Sequence, residues 1–334
     1  MTALELTDVV VDYERRGGGR VRAVAGASIR VERGQIVGLV GESGCGKSTF
    51  ARAAVGLVRM TAGSVVFEGR EIVPLARRGR PRDLARLQLV FQNPYASLNP
   101  RRKVGSQLAD ALETLDLVPV AGRPARVREL CELVGLPPTA ADRFPHEFSG
   151  GQRQRIAIAR ALAADPSVIV LDEPLASLDA SAQAQLANLL VSLSRELGLG
   201  LLLISHDLAI VHHVADAVSV MYLGRMVETG ATSRLWEQPL HPYSESLINA
   251  IPHPDGSGFL PNALPGEVPD PGQPPSGCRF HPRCPYAFSR CSVDEPALVA
   301  LAGGRTAACW LQPEGAIAAS PAERARLVAG GDVQ

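Results

Sequence analysis

Aromatic residues are scarce in this sequence. Phe, Trp and Tyr make up 4% of 334 residues, so aliphatic side chains must fill any core. Net charge is lacking too, with 34 Lys and Arg against 34 Asp and Glu. A nucleic-acid-binding domain needs a strongly basic face, so the balance argues against a nucleic-acid partner. No apolar run approaches the roughly 20 residues that span a bilayer. Val168–Leu171 and Leu201–Ile204 have the length of buried strands. The start, Met1-Thr2-Ala3-Leu4-Glu5, lacks the basic and apolar segments of a secretory signal. These absences predict a cytosolic chain that reaches a membrane only through partners. Repeats of solenoid period are also missing. What remains is ordinary for a large globular core, at 46% hydrophobic and 20% charged, with length enough for about two domains.

The first part reads as β-rich, over Leu4–Val11 and Val21–Val31. Gln35–Val40 is a short apolar strand that runs into a glycine-rich loop, and the chain turns helical from Lys47. Residues 104–164 read as mainly helical, broken by Pro119, Pro124 and Pro137-Pro138. Strand and helix then alternate through Val168–Leu171, Ala182–Leu197, Leu201–Ile204, Leu208–Val214 and Val218–Met221, which predicts a parallel sheet covered by helices. From Pro252 to Gly277 half of the residues are proline or glycine, which excludes a regular helix or strand.

Gly41-Glu42-Ser43-Gly44-Cys45-Gly46-Lys47-Ser48-Thr49 matches the phosphate-binding pattern G-x-x-x-x-G-K-[ST], between a strand and a helix. Its glycines let backbone amides converge on phosphate oxygens, and the helix N-terminus adds a favourable dipole. Lys47 is expected to neutralise the β- and γ-phosphates, and Ser48 to ligate Mg²⁺. Val168–Leu171 ends in Asp172-Glu173, at the end of a strand where an α/β sheet presents its ligand. Asp172 is the expected second Mg²⁺ ligand and Glu173 the general base for an attacking water. His206 follows the next strand and is placed to orient that water. His212 and His213 read as packing. Phe148-Ser149-Gly150-Gly151-Gln152 opens a helical run upstream of Asp172. Two glycine-rich loops in this order suggest a nucleotide held from two sides, and each chain carries one copy of each, so a dimer is expected.

These residues resemble the ATPase subunits of ATP-binding cassette (ABC) transporters over about 4–250. The resemblance implies an α/β fold: a P-loop NTPase core of the ABC type. It consists of a RecA-like subdomain plus an antiparallel β subdomain, with a helical subdomain inserted at about 95–165. It implies that Ser149, Gly150, Gly151 and Gln152 close over the γ-phosphate held by a second cassette, with Phe148 where leucine is commonest. Gln92, in Phe91-Gln92-Asn93-Pro94, matches the loop that links Mg²⁺ and water to a membrane partner. Asp179, in Ser177-Leu178-Asp179, matches the loop at the dimer interface, and Tyr13 the ring that stacks on adenine. Phe91–Arg101, His241-Pro242-Tyr243, Leu264–Pro269 and Pro275–Pro285 resemble the oligopeptide/dipeptide (and nickel) importer ATPases. That narrower likeness implies ATP and Mg²⁺, a second ABC ATPase subunit (identical or related), two transmembrane permeases and an extracytoplasmic solute-binding protein. It also implies a place on the cytoplasmic side of the inner membrane. Peptides are the default cargo; nickel or oligosaccharides travel through related systems. A non-transport ABC ATPase is disfavoured by the short interval between Lys47 and Ser149.

The reading divides the chain into an ATPase domain (1–250), a Pro/Gly-rich linker (251–277), a cysteine module (278–315) and a tail (316–334). Cys278, Cys284, Cys291 and Cys309 cluster in that module with spacing C-x5-C-x6-C-x17-C. Reduced thiols in this number suit a zinc site, an iron–sulfur cluster or no metal at all. The family likeness points to [4Fe-4S], with His281 a further candidate ligand. The basic runs Arg77–Arg82 and Arg101–Lys103 read as solvated loops flanking the Gln92 segment.

Overall fold

The computed structural model describes residues 2–15, 18–74, 81–251 and 266–312. Most of the Arg77–Arg82 run, the first part of the Pro/Gly-rich segment and the tail lie outside them. The chain opens with β1 (Thr2–Glu14), β2 (Arg20–Glu32), β3 (Ile36–Val40), α1 (Lys47–Ala54), β4 (Ala62–Phe67), β5 (Arg70–Glu71) and β6 (Leu87–Val90). A helical stretch follows, α2 (Pro94–Ser97), α3 (Val104–Leu115), α4 (Arg123–Leu133) and α5 (Gly150–Leu162). Then come β7 (Val168–Asp172), α6 (Ala180–Leu197), β8 (Gly200–Ser205), α7 (Leu208–Val214), β9 (Ala217–Tyr222) and β10 (Arg225–Ala231). The described chain ends with α8 (Thr232–Glu237), α9 (Pro242–Asn249), α10 (Ser289–Val293), β11 (Val299–Leu301) and β12 (Arg305–Ala307).

The strands form two sheets, one four-stranded and antiparallel in the order β2-β1-β4-β5, and one eight-stranded in the order β11-β12-β10-β9-β3-β8-β7-β6. β3, β7 and β8 are buried along their whole length. Their side chains alternate between two cores. Ile36, Ile169, Leu171, Leu201 and Leu203 pack toward the helices. Val37, Leu39, Val168, Val170, Leu202 and Ile204 pack toward α1 and the antiparallel sheet. Burial on both faces makes these strands read as unbroken apolar runs, as parallel strands under helices must.

Three features differ from the sequence reading or add to it. Pro124 and Pro138 start helical turns instead of breaking them, because the first turn needs no amide hydrogen from them. The alternating strands β7, β8 and β9 do join β3 in parallel register, but β10, which lies beyond that alternation, folds back antiparallel on β9. Only Leu223 and Gly224 link the two, both at positive φ, and a parallel crossover needs a far longer connection. Finally, the cysteine-bearing segment is built into the main sheet, since β12 pairs with β10 through Glu228↔Ala307 and Thr229↔Thr306. Beneath that pairing Arg305 donates to the fully buried Glu228 at 2.9 Å. Glu228 also accepts from the amides of Leu240 and His241, each at 2.9 Å. Such a buried pair costs roughly 3–5 kcal/mol when one partner is removed, so β12 is firmly anchored.

Candidate active site

Four neighbouring parallel strands, β3, β8, β7 and β6, end on the same edge of the sheet. The loop after β3 carries residues 41–46, β8 ends next to His206, β7 ends at Asp172-Glu173, and Gln92 follows β6. The topology alone therefore brings distant parts of the sequence to one place, where α/β sheets take their ligands.

The loop after β3 requires its glycines. Gly41 has φ +154°, and a Cβ there would stand 2.2 Å from the Met221 carbonyl oxygen. Gly46 has φ +110°, with a Cβ 2.2 Å from the Ala23 carbonyl oxygen. Gly46 also opens α1 without a side-chain cap, and no acid stands in the first turn. The positive end of the helix dipole thus faces the loop, a setting that favours an anion. Ser43 and Gly44 are exposed at the loop tip. Lys47 is buried, and its Nζ donates to the carbonyls of Gly41 (2.7 Å) and Glu42 (2.9 Å). The same ammonium lies 4.0 Å from a Glu173 oxygen.

Ser48 Oγ donates to Asp172 Oδ1 at 2.8 Å. Burial pushes the Asp172 carboxyl above the usual carboxylate range, against the lowering effect of Ser48. A buried carboxylate beside a hydroxyl offers the oxygen ligands that suit a hard divalent cation such as Mg²⁺. Glu173 gathers the rest. Gln92 Nε2 donates to Glu173 Oε2 at 3.1 Å, and His206 Nδ1 lies 3.2 Å from the same oxygen. Glu173 adopts φ +48°, unusual for a side chain with a Cβ, and its amide donates to the Ile204 carbonyl on β8 at 3.0 Å. The strained backbone is fixed by the neighbouring strand and aims the carboxylate at Lys47, Gln92 and His206 together.

Tyr13 lies on β1, 41% exposed as a residue, with its hydroxyl 3.5 Å from Thr49 Oγ1. Its ring is open to a flat partner beside α1. Ser149 caps α5: its Oγ accepts from the Gln152 amide (3.3 Å), while its own amide donates to Gln152 Oε1 (3.0 Å). Ser149, Gly150 and Gln152 are exposed. Asp179 caps α6 by accepting from the Ala182 amide at 2.9 Å. A Cβ on Gly151 would stand 3.3 Å from that of Ala182, so the two caps are close neighbours. The structure thus joins Lys47, Ser48, Gln92, Asp172, Glu173 and His206 in one cluster, and Ser149–Gln152 with Asp179 in another. Among the described residues no hydrogen bond or ion pair links the second cluster to residues 41–49. His212 stacks on Trp236 at 4.0 Å, a packing role, and Arg102 pairs with Asp110 at 2.7 Å.

Cys278, Cys284, Cys291 and Cys309 do line one pocket, together with Phe280, His281 and Trp310. The pocket encloses about 20 Å³, room for roughly one water molecule. Among the described residues no three His, Cys, Asp or Glu side chains are grouped to hold a metal ion. Burial pushes the Cys278 and Cys291 thiols up from their ordinary value. His281 Nδ1 lies 2.9 Å from the Cys278 carbonyl oxygen, turned to its own backbone. The residues as arranged do not fit the expected [4Fe-4S] cluster, which is left without support.

Sequence reasoning missed Glu42, Tyr243 and Arg283. Glu42 occupies a variable position of the loop pattern, and the other two lie about 200 residues further on (241 for Arg283, 201 for Tyr243). Only the fold brings them together.

The pattern of the ABC transporter family matches residues 24–176, and that of the oligopeptide/dipeptide transporter C-terminal region matches 227–291. A probable peptide ABC transporter ATP-binding protein of Sinorhizobium fredii is 46% identical, over 94% of this chain and 90% of its own. A di/tripeptide transport ATP-binding protein of Pseudomonas aeruginosa is 46% identical, over 89% and 94%. An oligopeptide transport ATP-binding protein of Bacillus subtilis is 43% identical, over 93% and 97%. Among solved structures, a cbiO1 protein of Clostridium perfringens, part of an ABC transporter complex, superposes with TM-score 0.62 at 28% identity, covering 71% of this chain and 91% of its own. A dimeric ATP-binding cassette in a post-hydrolysis state with ADP and phosphate gives 0.59 at 25% identity, covering 69% and 98%. With these likenesses over nearly its whole length, the chain belongs to the family of ABC transporter ATP-binding proteins, in the group that carries the oligopeptide/dipeptide C-terminal region, and is an ATP hydrolase.

Proposed function

We propose that this chain is the ATP-hydrolysing subunit of a peptide importer. Residues 1–250 act as the ATPase domain, and the segment from 278 to 315 serves as an accessory module to it. The observation that carries the reading is the convergence of Gln92 and His206 on one oxygen of Glu173, 4.0 Å from Lys47 on the other. ATP binds with its phosphates on the 41–46 loop and its adenine against Tyr13. Lys47 exchanges its carbonyl partners for phosphate oxygens. Ser48 and Asp172, with Gln92, hold Mg²⁺, which when bound neutralises phosphate charge. Glu173 takes the proton of the attacking water, while His206 and Gln92 fix the orientation of its carboxylate. Most of the acceleration comes from positive groups held in place before the reaction.

The second cluster is exposed and turned toward its own helix caps, which suits closure over the γ-phosphate of another cassette. A dimer of identical or related ATPases then buries two ATP, and the Gln92 segments transmit closure to two permeases on the cytoplasmic side of the inner membrane. An extracytoplasmic binding protein delivers the cargo. Peptide is favoured because the relatives named above are peptide, di/tripeptide and oligopeptide transport proteins. Glu173→Gln is expected to lower turnover by at least about 100-fold, the usual worth of a general base, while ATP binding persists and a closed dimer accumulates. Near-normal ATPase activity of that variant in a steady-state assay refutes the assignment.

A further inference from the structure

An acidic side chain in a phosphate-binding loop is electrostatically misplaced, and here it is answered from far along the chain. Glu42 directly follows Gly41. Arg283, in the cysteine-bearing segment, donates to both of its oxygens, Nη1 to Oε2 at 2.7 Å and Nη2 to Oε1 at 3.0 Å. This two-bond pairing with Glu42 raises the Arg283 guanidinium well above its ordinary value. Arg283 is itself buried, with Nη1 3.3 Å from the Tyr222 hydroxyl and its guanidinium near the rings of Tyr222 and Phe280. Tyr222, Tyr243 and Phe280 form one aromatic cluster with centroids 4.7–5.3 Å apart. From that cluster the Tyr243 hydroxyl accepts the Glu42 amide at 2.8 Å. Both the backbone and the carboxylate of Glu42 are therefore held by the C-terminal part of the chain.

A second tether runs parallel to the first. Arg279 donates to the carbonyl of Leu223, in the β9–β10 turn. The next residue, Gly224, donates its amide to the Cys45 carbonyl of the loop at 2.7 Å. Two arginines four positions apart thus bear on the same loop, Arg283 directly at Glu42 and Arg279 through the β9–β10 turn at Cys45.

We infer that Arg283 is a positioning residue for ATP binding: the segment from 277 to 291 holds the phosphate loop in shape and cancels the charge of Glu42. The inference rests on the reading of residues 41–49 as the phosphate site. Three variants of the full chain test it, with ATP and ADP affinities measured by displacement of a fluorescent nucleotide. Arg283→Met is expected to weaken ATP about tenfold, and ADP less, because repulsion by an uncancelled carboxylate grows with phosphate charge. Arg283→Lys keeps the charge but loses the two-bond fork, and its loss of ATP affinity is expected to be smaller than that of Arg283→Met. Adding Glu42→Gln to Arg283→Met recovers ATP affinity to within about threefold, since the unpaired charge is gone. A merely structural role lowers melting temperature without separating ATP from ADP and is not rescued by Glu42→Gln. That outcome overturns the inference, as does ATP affinity within threefold of wild type in Arg283→Met.

Should Arg283→Met fail to fold, hydrogen exchange of the unaltered chain decides. ATP·Mg²⁺ is expected to slow exchange in peptides covering 277–291 together with those covering 41–47. Unchanged exchange in 277–291 when 41–47 is protected overturns the inference alone. A wild-type chain that binds no ATP overturns the phosphate-site reading itself.

Discussion

The two glycine-rich loops of this chain are in opposite physical states. The first, residues 41–46, is closed in by its own chain: Lys47 is buried, Glu42 is paired with Arg283, and Ser48 with Asp172. The second, residues 149–152, satisfies itself through a capping box and faces solvent. A binding loop built to hold phosphates alone should look like the first. A loop built to complete another molecule's site should look like the second, with a fixed shape and an exposed surface. The contrast supports the proposed division of labour, in which one half of the site is prepared within the chain and the other half is offered to a second cassette.

Breaking the first loop should produce the largest change. Lys47→Ala is expected to weaken ATP binding on the order of 100-fold, about 2.7 kcal/mol, as measured by nucleotide displacement. It also leaves the carbonyls of Gly41 and Glu42 without their ammonium partner. Breaking the second loop should separate the two properties. Gly151→Asp places a carboxylate against Ala182 and toward an incoming γ-phosphate, yet leaves residues 41–49 untouched. Its ATP affinity is expected to stay within about threefold, while turnover falls by about 100-fold. Loss of binding in that variant would mean that the loops are not independent.

The two halves should also answer differently to pH. The folded-state value of Asp172 is raised by burial, so the nucleotide-free fold binds that proton more readily than the unfolded chain does. Its ionised form therefore costs stability at neutral pH, and the cost disappears as pH falls through the raised value. Asp172→Asn is expected to raise the melting temperature of the nucleotide-free protein near pH 7, with a gain that vanishes on acidification, while hydrolysis is lost. Thermal melts across pH check the sign. The smallest effect belongs to the second loop: Ser149→Ala removes a cap worth about 1 kcal/mol, a loss that denaturant titration should find independent of pH.

Much of this was readable in advance. The loop pattern between β3 and α1, the acids at the end of β7 and the histidine after β8 each follow a buried apolar strand, and such strands announce themselves. The strand that precedes Gln92 does not: in β6 two of four residues are only partly buried, so its apolar signal is weak. β10 was hidden for another reason, since a two-residue antiparallel turn leaves no helix behind it to mark the connection. The pairing of Glu42 with Arg283 was illegible because neither residue belongs to a local pattern. The four cysteines were legible as neighbours, and they do line one pocket. Whether a pocket can admit a metal is a matter of volume and side-chain grouping, which spacing does not encode.

The most direct measurement mixes two inactive proteins. Lys47→Ala lacks a working first loop but keeps its second; Gly151→Asp has the reverse defect. Each alone should hydrolyse almost no ATP. Mixed in equal amounts they should recover a clear part of wild-type ATPase activity, because a mixed dimer contains one intact pairing of loops. Full activity from Gly151→Asp alone, unchanged on dilution to a strictly monomeric state, would contradict the account.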